Sequence, residues 1–144
     1  MSEPIIAKTG LKALVGTQMT KKSTFMASDI IISKLTAGAV KRIQEAAALS
    51  ESLADEAEQT KRQIERLESQ ELHDDANKLR EALKADKRAE KQSYAVIRLV
   101  VGAGAEGGAD LTDDEFDAFP LDELNSLSMA IMEWSGMGQD KKGK

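Results

Sequence analysis

Apolar residues recur at helical spacing through most of this chain. Val40, Ile43, Ala46, Ala47 and Leu49 mark one helix face, and Thr36 is a good N-cap before it. The pattern continues through Leu53, Ala57, Thr60, Ile64 and Leu67 in steps of four and three, a heptad-like seam weakened by Ala and Thr. At Ser69 to Asp75 the seam slips, because Leu67 to Leu72 is a step of five. Leu72, Ala76, Leu79 and Leu83 then resume it. The slip fits either a stutter in a continuous helix or a hairpin turn with Asp74 or Asp75 capping a second helix. An unbroken helix over 38–101 would be roughly 95 Å long, more than so small a chain can bury, so the hairpin is preferred.

The second helix is expected to end in its most apolar stretch, at Tyr94, Ile97, Val100 and Val101. Gly102, Gly104, Gly107 and Gly108 then predict a flexible linker. Their spacing fits no phosphate-binding loop. Thr112-Asp113-Asp114-Glu115 reads as a capping box. Pro120 suits the first position of a last helix, whose face is Leu124, Leu127, Ile131 and Trp134 with Leu121 near its start, and Gly136 stops it. Before the helices, Thr24–Ala27 and Ile30–Leu35 are the candidate strands, turning near Ser28-Asp29, while Met19 to Lys22 reads as a polar turn. The expected fold is mainly α: a helical hairpin or bundle with a short N-terminal β-hairpin and two short C-terminal helices. The divisions are an arm over 1–38, long charged helices over 39–101, a glycine-rich linker and acidic helices over 102–135, and a disordered tail over 136–144.

Composition narrows the classes. Hydrophobic residues make up 41% of the 144 but aromatic residues only 3%, so the core must be thin. The absence of cysteine excludes disulfides and thiol chemistry. No apolar run reaches 18 residues, and no signal-peptide pattern opens the chain, so no membrane span and a cytoplasmic location are expected. Net charge is −5, divided as +3 over 1–38, −2 over 39–94 and −6 over 95–144. A basic arm and an acidic end invite head-to-tail contact within the chain or between copies. Five lysines with one aromatic make that arm a poor nucleic-acid binder.

Candidate chemistry is sparse. His73, the only histidine, lies among Glu71, Asp74 and Asp75, but consecutive helical positions cannot all face one ion, so a solvated turn is the better reading. Asp113, Asp114, Glu115 and Asp117 read as helix-capping acids rather than a calcium loop. No cofactor and no metal are expected. Met129, Met132 and Met137 beside Trp134 fit either core packing or an adaptable groove for a partner helix. The candidate partner face is therefore Leu124, Leu127, Ile131 and Trp134. A second is Phe25 with Ile30, Ile31 and Ile32, through strand addition.

Two patches resemble the tail assembly chaperones of tailed bacteriophages. The first is Leu35 to Glu45, where an extended segment enters a helix beginning Leu-Thr and later carrying Ile43-Gln44. The second is Tyr94 to Gly102, followed by the acidic Asp110 to Phe116 and then Phe119 to Met137. There a hydrophobic helix, a glycine-bearing loop and a terminal helix follow in the family's order. The charged middle, 50–92, is longer than the family pattern. The resemblance implies a non-enzymatic protein that coats the long helical tape measure protein, with the tail tube protein as a further partner and self-association into an oligomer. It implies action in the host cytoplasm, release during assembly and absence from the mature virion. A structural virion subunit and a coiled-coil oligomerisation adaptor are the rival classes.

Overall fold

The computed structural model describes residues 10–137; residues 1–9 of the expected arm and 138–144 of the expected tail lie outside it. The elements are α1 (Gly10–Ala13), β1 (Thr20–Phe25), β2 (Ser28–Ser33), α2 (Ala37–Ser69), α3 (His73–Ala85), α4 (Arg88–Gly104), a 3-10 turn (Gly108–Asp110), α5 (Asp113–Asp117) and α6 (Leu121–Trp134). The fold is mainly α with one antiparallel N-terminal hairpin, as the periodicity predicts.

The hairpin turns two residues earlier than Ser28-Asp29. Phe25 pairs with Ser28 and Thr20 with Ser33, so Met26 and Ala27 form the whole loop. Both are left-handed, with φ of 53° and 65°. Positive φ at both positions is the type I′ pattern, normally supplied by Asn-Gly. Here the Met26 N–H donates to Glu123 Oε1 at 3.0 Å, which fixes the turn against α6. The expected polar turn at Met19 to Lys22 is instead the start of β1. The outer edge of β2 meets the glycine-rich segment: Ile32 bridges Ala105, and the Glu106 N–H donates to the Ile31 carbonyl at 2.9 Å.

Thr36 caps α2 by accepting from the Ala39 N–H at 3.1 Å. The slip in the seam is a turn. Leu72 N–H reaches the Leu67 carbonyl and Glu71 N–H the Glu68 carbonyl, both at 2.9 Å, closing α2 in a Schellman motif. That closure delivers the chain straight into α3 at His73. Neither Asp74 nor Asp75 is the cap; both sit in the first turn, where their charge suits the helix N-terminus. The left-handed position of the motif is Glu71, at φ 63°. A side chain there costs about 1–2 kcal/mol relative to glycine's freedom. Glu71→Gly should therefore raise stability by about 0.5–1 kcal/mol net of the added chain entropy, read as a higher melting temperature. A melting temperature at or below the parent's would count against this closure.

The return helix is broken where the seam gives no warning. Asp86 is extended, and its carboxylate accepts from the Arg88 N–H and Nε, each at 3.0 Å, starting α4. Side-chain bonds from Arg88, then its backbone N–H, hold the Asp86 carboxyl down at about 2. The clamp is thus at full strength above the ordinary carboxylate pKa and is released as pH falls toward 2. α4 runs through Gly102 to Gly104, beyond the expected end at Val101, and the glycine-rich segment packs instead of linking. A Cβ on Gly108 would lie 2.3 Å from the Val101 carbonyl oxygen, and one on Gly104 2.4 Å from Ile131 Cγ2.

The core gathers Ile32, Ile43, Val100, Val101, Phe116, Leu124, Leu127 and Ile131. It is built from the hairpin, the first part of α2, the end of α4, and α5 with α6. The rest of α2 pairs with α3 as a two-helix arm in which only Ile64 and Ala76 are buried.

Candidate interaction surface

The apolar stripe expected to meet a partner closes this chain's own core. Leu124, Leu127 and Ile131 are 1%, 4% and 0% exposed. They pack with the apolar end of α4, and Gly104 allows Ile131 close approach. Trp134 is half-buried at the end of the same face, with the Lys21 and Lys34 ammonium groups each 5.5 Å from its ring centroid. Those contacts tie the start and end of the hairpin to α6. Met132 and Met137 are half-buried against the core, whereas Met129 is exposed. The methionine cluster thus mostly packs.

The second candidate face is also engaged. Phe25 meets Phe119 edge-on, with centroids 5.0 Å apart. Ile32 is fully buried, and Ile30 and Ile31 are half-buried. Among the described residues β1 has no strand on its other side, but Lys21 and Lys22 lie in it, a charge pattern that discourages edge pairing.

Among the described residues, the most exposed apolar side chains lie in the short stretch between Gly10 and Gly16. Leu11, Leu14 and Val15 are 85%, 60% and 80% exposed, with exposed Met19 shortly after. Leu14 N–H bonds the Leu11 carbonyl at 2.9 Å and Val15 N–H the Lys12 carbonyl at 3.3 Å, so the turn of α1 continues past Ala13. The spacing i, i+3, i+4 places the three side chains on one face. The sequence marks Leu11 to Val15 as a short apolar stretch between Gly10 and Gly16, open to one helical turn or a short strand, and the structure makes it the turn.

A groove of about 500 Å³ opens between α4 and the start of α6, lined by Ala89, Glu90, Ser93, Tyr94, Ile97 and Leu121. Leu121 is 60% exposed on its rim. Tyr94 packs edge-on against Phe116 with centroids 5.5 Å apart, and its hydroxyl donates to the Asp117 carboxylate. Desolvation, then that carboxylate, pushes the phenol up to about 12. Tyr94 is the only tyrosine, so absorbance titration reads it directly. The folded protein should ionise near 12 and the urea-unfolded chain near the ordinary 10. The stability this proton contributes is complete below 10 and is lost as pH rises through 12. Equal folded and unfolded midpoints would show that Tyr94 is not held by Asp117.

Beside the groove, Arg98 bonds Asp113 Oδ1 and the Leu111 carbonyl, each at 3.0 Å, and lies 4.6 Å over the Phe116 ring. It clamps α5, whose capping box is complete: Glu115 N–H donates to Thr112 Oγ1 at 3.1 Å, and Thr112 N–H to Glu115 Oε1 at 2.9 Å. Pro120 is the residue before α6 rather than its first. His73 is exposed on the first turn of α3. Among the described residues no group of three or more His, Cys, Asp or Glu side chains is placed to hold a metal, and no helix is long and apolar enough to cross a membrane. No protein-family model, curated protein or solved structure matches this chain.

Proposed function

We propose that this protein is a non-enzymatic assembly chaperone of the phage tail type, which coats the tape measure protein in the host cytoplasm and is released before the particle is finished. The observation that carries the reading is the apolar turn of Leu11, Leu14 and Val15, exposed among the described residues beside a body whose own core holds Leu124, Leu127 and Ile131. A partner face has to be apolar and accessible before the partner arrives, and these residues meet that condition where Leu124, Leu127 and Ile131 do not. The element order adds support: a hairpin leads into a Thr-capped helix, and an apolar helix, glycine-bearing segment and terminal helix close the fold. A tape measure protein is a long amphipathic chain that aggregates when bare. Many small apolar contacts, each weak, cover such a chain and still release it. The tail tube protein is a second proposed partner.

The test is a tagged pull-down of the full chain from its native source during particle assembly, read by mass spectrometry beside purified particles. Recovery of one very long helix-rich protein, lost with Leu14→Ser and with no bait in the particles, is the expected result. Bait found in finished particles would favour a structural virion subunit. Recovery of the bait alone would favour an oligomerisation adaptor.

A further inference from the structure

We infer that the β1–β2 hairpin is a strap that lifts off α6 as a unit and uncovers the apolar stripe beneath it. The hairpin continues into the body through one extended stretch, Lys34 to Thr36, which leads into α2. On its other side residues 10–19 are all exposed, so they supply no buried anchor ahead of β1.

Its polar ties to the body are few. At the turn, the Met26 N–H donates to Glu123 Oε1 at 3.0 Å. At the open end, the Leu35 N–H donates to Ser135 Oγ at 2.9 Å, and Lys21 and Lys34 flank the Trp134 ring. Between them the Glu106 N–H donates to the Ile31 carbonyl. None of these residues is fully buried, so water can replace each bond at small net cost.

The apolar hold is incomplete. Ile32 is the one residue of the two strands that is fully buried. A cavity of about 170 Å³ lies under the hairpin, with Phe25 and Ile30 on one side and Val101, Leu111, Leu124 and Leu127 on the other. Atoms that face a void forfeit the contacts that would hold the strap down. The turn adds strain, because Met26 and Ala27 both keep a left-handed backbone that side chains disfavour. Glu123 fixes that conformation, so releasing this latch also relaxes the turn. By contrast α5, which covers the same core, is held by its buried Phe116 and by the Arg98 clamp. The hairpin is therefore the cover that opens first. Lifting it bares Leu124 and Leu127, so the stripe that the closed fold hides becomes accessible without global unfolding. The strap is a property of the chain alone and stands apart from the function proposed above.

The chain has no cysteine, so a single one placed in the core reports opening by its rate of reaction with a thiol reagent. Leu127→Cys lies at the cavity. Ile43→Cys, beside Leu99 and Ala103 between α2 and α4, is the reference for global unfolding. Under native conditions Leu127→Cys should react about tenfold or more faster, and its rate should depend less on urea. Glu123→Ala should raise the Leu127→Cys rate about threefold, the effect of one lost hydrogen bond. Met26→Asn/Ala27→Gly, which supplies the pair suited to this turn, should lower it. Hydrogen exchange gives the same reading without a core substitution: the Leu35 amide, at the end opposite the latch, should exchange faster in Glu123→Ala than in the parent. Equal rates and urea dependences for the two cysteines overturn the inference. So does a Leu127→Cys rate indifferent to both turn variants, and so does a Leu35 amide that Glu123→Ala leaves unchanged.

Discussion

Phe116→Ala should lower folding stability by about 3–5 kcal/mol, the range for truncating a buried aromatic ring. The ring is fully buried, with Tyr94 at its edge and the Arg98 guanidinium over its face. It is the main apolar anchor of α5, a helix of five residues with no independent stability. Removing it leaves a cavity and frees Arg98 from one side of its clamp. Tyr94 loses its neighbour as well, so its raised ionisation should move back toward 10. Urea unfolding followed by the single tryptophan, at the end of α6, measures the loss. A change below about 1 kcal/mol would mean that 113–117 lies outside the cooperative core. For a domain with a total of roughly 5–15 kcal/mol, the expected change is severe.

Gly108→Ala should be the next most damaging change, at about 3 kcal/mol, the upper end of overpacking. Its Cβ would meet the Val101 carbonyl oxygen at 2.3 Å and the carbonyl carbon at 3.0 Å. That carbonyl already accepts the Ala105 N–H at 3.0 Å, so it cannot retreat without opening the end of α4. Gly104→Ala meets a side chain instead, Ile131, which can rotate away from part of the clash; about 1–2 kcal/mol is expected. The order of the two, read by thermal melts of both variants, is the discriminating result. If Gly108→Ala were the milder, the tight packing between the 3-10 turn and α4 would not hold in solution.

Local chemistry was the legible layer of this sequence. The Thr36 cap, the Thr112–Glu115 box and the Gly136 stop each depend on residues close in the chain, and each is present. The slip after Leu67 fitted a stutter as well as a turn, and the length of an unbroken helix, more than so small a chain can bury, was what favoured the hairpin. Less could be read where a signal has two physical meanings. A run of glycines marks either backbone freedom or close approach, and only the neighbours of Gly104 and Gly108 decide for packing. Met26-Ala27 gives no turn signal, since its strained pair is held by Glu123, nearly a hundred residues away. The burial of the candidate stripe was illegible for a similar reason. Leu124, Leu127 and Ile131 form the same stripe whether they face another protein or their own α4, and sequence spacing carries no information about which surface arrives.

The two-helix arm has a consequence in time. α2 is one continuous helix of 33 residues, yet its beginning is anchored by Ile43 in the core while its far half shares only Ile64 and Ala76 with α3. The ion pairs here, Arg80 to Glu68 across the arm and Arg88 of α4 to Glu56, are exposed and hold little. Backbone amides along this single rod should therefore exchange with solvent hydrogen in two classes, slow before about Ser50 and faster beyond it. The tip can open and reclose many times during one lifetime of the folded body.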